Sequence, residues 1–299
     1  MSTLATTTSE PTVNQSHHWL GAVGFLAPVL VLPLQDQLPA WAFMWLLSVA
    51  IFGACKWLTW WESPNRPASR RSIPYLLLWP GMNADEFMDV SARVKRPPLK
   101  AWLTAVARTA LGAVLIWLLA RHAPNPLAAG WIGMFGLITF LHFGTFRLVA
   151  LAWQSVGVDA QPIMREPARA TSLAEFWSVR WNVAFHALAR RWIFRPAARR
   201  LGVVGATVAV FLASGFLHDI VISLPARAGF GLPTAYFFLQ SLGVLLERSP
   251  LGKRLELQRP ARGRLLVALF TIAPAFWLFH PPFVERVILP FLNIIGALP

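Results

Sequence analysis

The chain has 299 residues, 56% of them hydrophobic and only 13% charged, with a formal net charge of +14. Soluble domains carry about 25% charged residues, so these totals exclude an ordinary soluble enzyme and point to an all-α integral membrane protein that crosses the bilayer several times. The single cysteine, Cys55, excludes an intrachain disulfide and any cysteine-rich metal site.

Residues 1–18 are polar, rich in Ser and Thr and free of Lys and Arg, and read as a disordered tail. They lack the basic start of a secretory signal, so the first apolar segment is expected to stay in the mature protein. Residues 19–299 then form one polytopic membrane domain. Eight spans of roughly 20 residues can be placed: Trp19–Leu34, Ala40–Trp60, Ala101–Ala120, Ala128–Trp153, Leu201–Leu224, Gly231–Leu246, Leu265–Phe279 and Phe283–Leu298. The last two are short and joined by His280, Pro281 and Pro282, as in a broken or re-entrant hairpin.

Basic residues gather in the connections 61–100, 155–200 and 248–264, whereas the connections between them hold only Arg121 and Arg227. Lys and Arg collect in cytoplasmic loops, so the alternation predicts both termini in the cytoplasm. It also accounts for most of the positive charge without nucleic acid. The Ala- and Arg-rich, Lys-poor composition is that of a high-GC bacterium, which gives the bacterial inner membrane as the expected location.

Two of the basic connections are too long to be simple links. In 61–100, a short apolar piece around Tyr75 and Trp79 is bracketed by prolines and reads as interfacial or re-entrant. In 161–200, a helical wheel places Leu173, Trp177, Trp181, Phe185, Leu188 and Trp192 on one apolar face. Glu175, Asn182 and His186 fall opposite, as on an amphipathic helix lying at the membrane surface.

The fifth span carries His218 and Asp219 in an otherwise apolar run. An ionisable pair inside a bilayer-length helix is expensive and marks a functional site. No second histidine stands at zincin spacing, no histidine boxes suit a di-iron centre, and neither a glycine-rich phosphate loop nor a Gly-x-Ser-x-Gly elbow is present. Metal and triad chemistry are therefore not expected. A neutral imidazole in an apolar tunnel suits general-base work on a hydroxyl. Ser214 lies one turn before His218 on the same face, and Gly215 leaves room beside it. Asp219 points about 100° away and is expected to fix a neighbouring element instead of forming a dyad. In the next span Gln240, Gly243 and Glu247 share a stripe, and His142 and Arg147 are further polar residues of the fourth span. These are either cavity lining or helix-to-helix contacts. A structural histidine and a proton-coupled transporter using His218 and Asp219 are the competing readings. The transporter would be marked by inverted repeats, and no internal repeat is seen.

Three segments together carry a resemblance: Phe176-Trp-Ser-Val-Arg-Trp-Asn182, Ser214-Gly-Phe-Leu-His-Asp219 and Tyr236–Glu247. They resemble the membrane-bound O-acyltransferases, most of all the wax synthase-like branch, and Trp79-Pro-Gly-Met82 looks like bacterial members of it. The resemblance covers roughly 170–250. It implies transfer of an acyl group from acyl-CoA, a co-substrate and not a bound cofactor, to a lipid hydroxyl. The acceptor it favours is a long-chain alcohol, giving a wax ester. By the family pattern His218 is the catalytic histidine and Asn182 its partner. Trp177, Arg180 and Trp181 support the CoA entrance, Ser214 lies near the thioester, and Gln240 is a candidate for lining the same cavity. Asp219 departs from the Glu usual in the family. Expected partners are acyl-CoA, the hydroxyl acceptor and membrane lipids, with a homodimer as an admissible assembly.

Overall fold

The computed structural model describes residues 18–64 and 70–299, and among them every regular element is helical. The expected N-terminal tail lies outside the described residues up to residue 17, and so does Arg66. In chain order the elements are α1 (Leu20–Asp36), α2 (Ala40–Glu62), α3 (Ser72–Leu78), α4 (Ala84–Met88), α5 (Leu99–His122), α6 (Pro126–Ser155), α7 (Val183–Ala226), α8 (Leu232–Arg248), α9 (Pro260–Leu278) and α10 (281–294). Five of these, α2, α5, α6, α7 and α9, are long and apolar enough to cross a membrane. The other expected spans correspond to shorter helices: α8 has 17 residues, and α10 runs through α, π and α stretches, with Pro281 and Pro282 at its start and Pro290 within it. Leu30, Leu103, Val203, Val204, Leu265 and Ile272 stand exposed on the outside, the pattern of a surface that faces lipid.

In hydrocarbon, helices gain little from hiding apolar surface and associate through close packing of small residues instead. That is how α5 and α6 meet. A Cβ on Gly112 would lie 2.5 Å from the Phe140 backbone nitrogen, and one on Gly144 would lie 2.4 Å from Thr109 Oγ1. Gly130 and Gly133 of α6 receive Val284 and Leu292 of α10 in the same way.

The helix that carries His218 is not straight. At Gly202 the backbone leaves helical geometry (φ 69°, ψ −179°), which separates an Arg-rich upstream part from the apolar downstream part. After His218 the chain widens into a π-helical turn, Asp219–Ser223. Such turns are frequent at functional sites. The downstream part packs tightly on α8: the room beside Gly215 is filled by Thr234, whose Cα would lie 2.6 Å from an added Cβ.

In the first long connection, Ile73, Leu77 and Leu78 are exposed while Tyr75, Trp79, Met82, Phe87 and Met88 are buried. The segment therefore has an interfacial edge and an inner face packed on the bundle. Lys56 of α2, 1% exposed, donates from Nζ to the Gly81 carbonyl at 2.7 Å and lies over the Tyr75 ring.

The second long connection is not the continuous amphipathic helix that its periodicity predicts. One helical turn (Leu173–Glu175) and a π-turn (Phe176–Arg180) end at Trp181, which is extended, and Asn182, which is left-handed at φ 40°. The break is held by a partner remote in sequence. The Arg165 N–H donates to the Arg180 carbonyl at 2.8 Å, and the Val183 N–H donates to the Ile163 carbonyl at 2.9 Å. These bonds satisfy backbone groups that a helix would otherwise have paired internally. Glu175, Asn182 and His186 thus do not share one helical face.

Candidate active site

His218 stands at the end of the apolar part of α7, and its Nδ1 is 2.7 Å from the Ser214 carbonyl oxygen. A carbonyl can only accept, so Nδ1 carries the proton and Nε2 presents its lone pair. No described residue hydrogen-bonds to Nε2. The ring lies 4.5 Å from that of Phe237, between α7 and α8. It is the main chain of Ser214 that matters here: the residue expected one turn before His218 fixes its tautomer through the backbone oxygen.

Asp219 turns away from His218, as its position on the helix predicts. Its carboxylate accepts from the Gly231 N–H (2.8 Å), the Thr234 N–H (3.1 Å), the Thr234 hydroxyl and the Ser223 hydroxyl (2.9 Å). It thereby caps the first turn of α8, where backbone N–H groups have no helical partner. Fully buried His280 completes the network. Its Nδ1 accepts from the Phe283 N–H at 3.2 Å, so Nε2 bears the proton and donates to Ser223 Oγ at 3.3 Å. The sequence does not single out Thr234 and places His280 only in the joint between the last two spans; the turn between α7 and α8 brings Thr234 to Asp219 and Ser223 to His280.

The stripe on α8 meets the Phe176–Asn182 segment. Gln240, fully buried, accepts from Trp177 Nε1 at 3.3 Å and donates to the Phe270 carbonyl. A Cβ on Gly243 would lie 2.6 Å from Leu173. Glu247, 2% exposed, accepts from the Leu173 N–H at 2.7 Å. At these three positions α8 makes element-to-element contacts. Arg180 is likewise occupied: it pairs with Glu175 at 2.6 Å and donates to the carbonyls of Arg165 and Glu166. The Thr171 N–H first, and Arg180 after it, hold the Glu175 carboxyl below its ordinary range.

Aromatic rings connect this segment to His218. Trp181 stacks on Phe176 with centroids 5.5 Å apart, Phe176 meets Trp177 at 5.0 Å, and Trp177 meets Phe237 at 5.6 Å. Phe237 is the ring against His218. Asn182 adjoins the Trp181 end of this ladder, and its N–H points to Met164 Sδ at 3.3 Å. Asn182 and His218 do not hydrogen-bond each other. The ladder, not a direct contact, joins the two ends of the site. Asn tolerates the left-handed conformation better than most residues, which gives Asn182 a backbone role besides any chemical one.

At the Trp181 end lies a cavity of about 400 Å³ bounded by α5, α6 and the 162–166 stretch. His142 and Arg147, which the sequence left as lining or contacts, both line it. Phe143, another lining residue, has its ring 6.3 Å from Trp181. Among the described residues no group of three His, Cys, Asp or Glu is placed to hold a metal.

Residues 160–240, which include the whole ladder, match the membrane bound O-acyl transferase family. The chain is 27% identical over 207 residues to "Probable long-chain-alcohol O-fatty-acyltransferase 2" of Arabidopsis thaliana, covering 64% of this chain and 59% of the relative. It is 29% identical over 148 residues to the long-chain-alcohol O-fatty-acyltransferase of Simmondsia chinensis, covering 46% and 42%. It is 25% identical over 138 residues to acyl-CoA–sterol O-acyltransferase 1 of Arabidopsis thaliana, covering 42% and 39%. The chain thus spans between 39% and 59% of the length of these relatives.

Proposed function

We propose, from the match of residues 160–240 to the membrane bound O-acyl transferase family, that the chain transfers a fatty acyl group from acyl-CoA to the hydroxyl of a long-chain alcohol, forming a wax ester. The observation that carries this reading is the His218 tautomer: the bond from Nδ1–H to the Ser214 carbonyl leaves Nε2 free to take a proton. The alcohol hydroxyl donates to Nε2. As its oxygen bonds to the thioester carbonyl carbon, its proton passes to the ring. The carbon–sulfur bond then breaks, and the imidazolium returns the proton to the departing thiolate, so no covalent enzyme intermediate is needed. Asn182 is the proposed partner of His218, acting from the far end of the ladder, where it shapes the Trp181 turn that positions the acyl donor. Trp177 and Trp181 wall the path along which the acyl chain lies and keep out water that would hydrolyse the thioester. Gln240 and Arg180 hold those walls in place.

The reading includes a multi-pass arrangement with both termini in the cytoplasm, α1, α8 and α10 completing the crossings as shorter spans, and the inner membrane as the location. The distribution of Lys and Arg supports the orientation. The test is mass spectrometry of neutral lipids in a host that expresses the wild type beside His218→Ala. Wax esters are expected only with the wild type. Equal ester from a well-inserted His218→Ala protein overturns the assignment.

A further inference from the structure

The cavity beside Trp181 has a charge the acyl path does not require. Lys100, Arg108, Arg147 and Arg165 line it, against a single carboxylate, Glu166. Arg108 pairs with Glu166 at 2.7 Å, whereas Arg147 has no hydrogen bond or ion pair among the described residues. His142 adds a buried Nδ1 without a partner. Arg108 lies nine residues into α5 and Arg147 eight residues before the end of α6. At about 1.5 Å per residue each is roughly 12–14 Å from its helix end. Guanidinium groups so far along membrane helices are costly unless an anion meets them.

We propose that this cavity is a phosphate-ester site in which Glu166 is a resident counter-ion, displaced from Arg108 when a ligand phosphate arrives. Three features support the exchange. With Glu166 held by Arg108, Arg147 and Arg165 leave the cavity two guanidinium groups beyond the one its carboxylate pairs with. Guanidinium groups bind phosphate oxygens in a bidentate fork more strongly than they bind a single carboxylate oxygen in a wet cleft. Glu166 itself sits in the left-handed region at φ 52°, a conformation that a non-glycine residue holds only under constraint. Its neighbour Arg165 is tied to Arg180, so movement at Glu166 is felt by the segment that carries Asn182.

The inference rests on the acyl-transfer reading only for the origin of the phosphate, which comes either from the nucleotide part of a thioester donor or from a phospholipid headgroup. The place of the cavity suits the first, because Phe143 of its lining meets Trp181 at one end of the ladder and His218 stands at the other.

The experiment uses the full chain in nanodiscs of neutral phosphatidylcholine and measures binding of CoA without an acyl group by calorimetry. Arg147→Met is expected to weaken binding roughly ten-fold or more, as loss of one charge-assisted contact does. Glu166→Gln is expected to tighten binding several-fold, and His218→Ala to bind like the wild type. The His218→Ala arm separates this proposal from the catalytic one, since it removes chemistry and leaves the anion site. A second arm adds phosphatidylglycerol. If CoA binding is indifferent to Arg147 while retention of phosphatidylglycerol depends on it, the phosphate is the lipid's and the site stands. Arg147→Lys and thermal unfolding report whether a weak binder is folded. If folded Arg147→Met and Glu166→Gln both bind CoA and phosphatidylglycerol like the wild type, the proposal is overturned.

Discussion

Asp219→Ala is the substitution whose cost can be worked most closely from the structure. The carboxylate accepts four hydrogen bonds, and they are not equal. The Gly231 N–H is exposed, so water replaces its acceptor at little cost. Ser223 keeps a second acceptor, the Gly229 carbonyl at 3.2 Å. The losses without ready replacement are the two from Thr234, which is partly buried in the first turn of α8. At about 1.5–3 kcal/mol for a hydrogen bond to a charged group, and with water repairing some of it, the total comes to roughly 2–4 kcal/mol. For a chain of this size about 1 kcal/mol moves the melting temperature by about 2–4 °C. Thermal unfolding in detergent, followed by intrinsic Trp fluorescence, should therefore show a drop of roughly 4–16 °C. Thr234→Val should cost less alone, and the double variant should fall short of the sum by about 1 kcal/mol, because both changes remove the bond from the Thr234 hydroxyl. Since Asp219 does not touch His218, Asp219→Ala should still form ester at low temperature. An unfolding midpoint within about 2 °C of the wild type, or strictly additive costs, would show that this carboxylate does not fasten α8.

Three further outcomes follow from contacts already described. Glu247→Ala leaves the buried Leu173 N–H without its acceptor, so a loss of roughly 1.5–3 kcal/mol is expected in the same melt, accompanied by weaker ester formation as the Trp177 segment loosens. Lys56→Met orphans the Gly81 carbonyl at a cost of roughly 1–3 kcal/mol; an unchanged melt would mean that this lysine does not secure the Trp79–Met82 loop. The Glu175–Arg180 clasp should depend on pH with a definite sign. Its carboxyl is lowered in the folded protein by Thr171 and Arg180, so the stabilisation is present above the ordinary glutamate range and lost as pH falls through the lowered value. Glu175→Gln should flatten that acid limb, and a limb unchanged in the variant would remove Glu175 from the account.

The parts of the site that lie on one regular helix were legible in the sequence. Gln240, Gly243 and Glu247 share a stripe because helical spacing places them so, and all three do face one neighbouring segment. Asp219 was separable from His218 for the same geometric reason. What was not legible depends on pairing between distant stretches. The turn at Trp181–Asn182 exists because residues 163–165 take up its backbone groups, and a helical wheel has no knowledge of that partner. The sequence offers His142 and Arg147 as lining or contacts, but does not join Arg108 to them because it belongs to a different helix, which only the glycine-mediated approach of α5 and α6 brings alongside. The count of eight spans rested on apolar length. Helix α8, at Leu232–Arg248, lies within two residues of the expected span at each end, whereas α10 covers 281–294 in place of the expected 283–298.

Helix α8 also acts as a ruler. Thr234 fixes its start to the turn after His218, and Glu247, thirteen residues on, fixes its end to Leu173 at the head of the ladder segment. At about 1.5 Å per residue those two anchors are roughly 20 Å apart. The offset between the His218 imidazole and the segment bearing Asn182 is set along this helix, where Phe237 meets His218 and Gln240 meets Trp177. One residue inserted between Phe237 and Gln240 would turn everything beyond it by about 100° and lengthen the helix by about 1.5 Å. Both anchors cannot then be kept, although no residue named in the chemistry has changed. In this chain the spacing within α8 constrains the arrangement around His218 as closely as the identity of the histidine does.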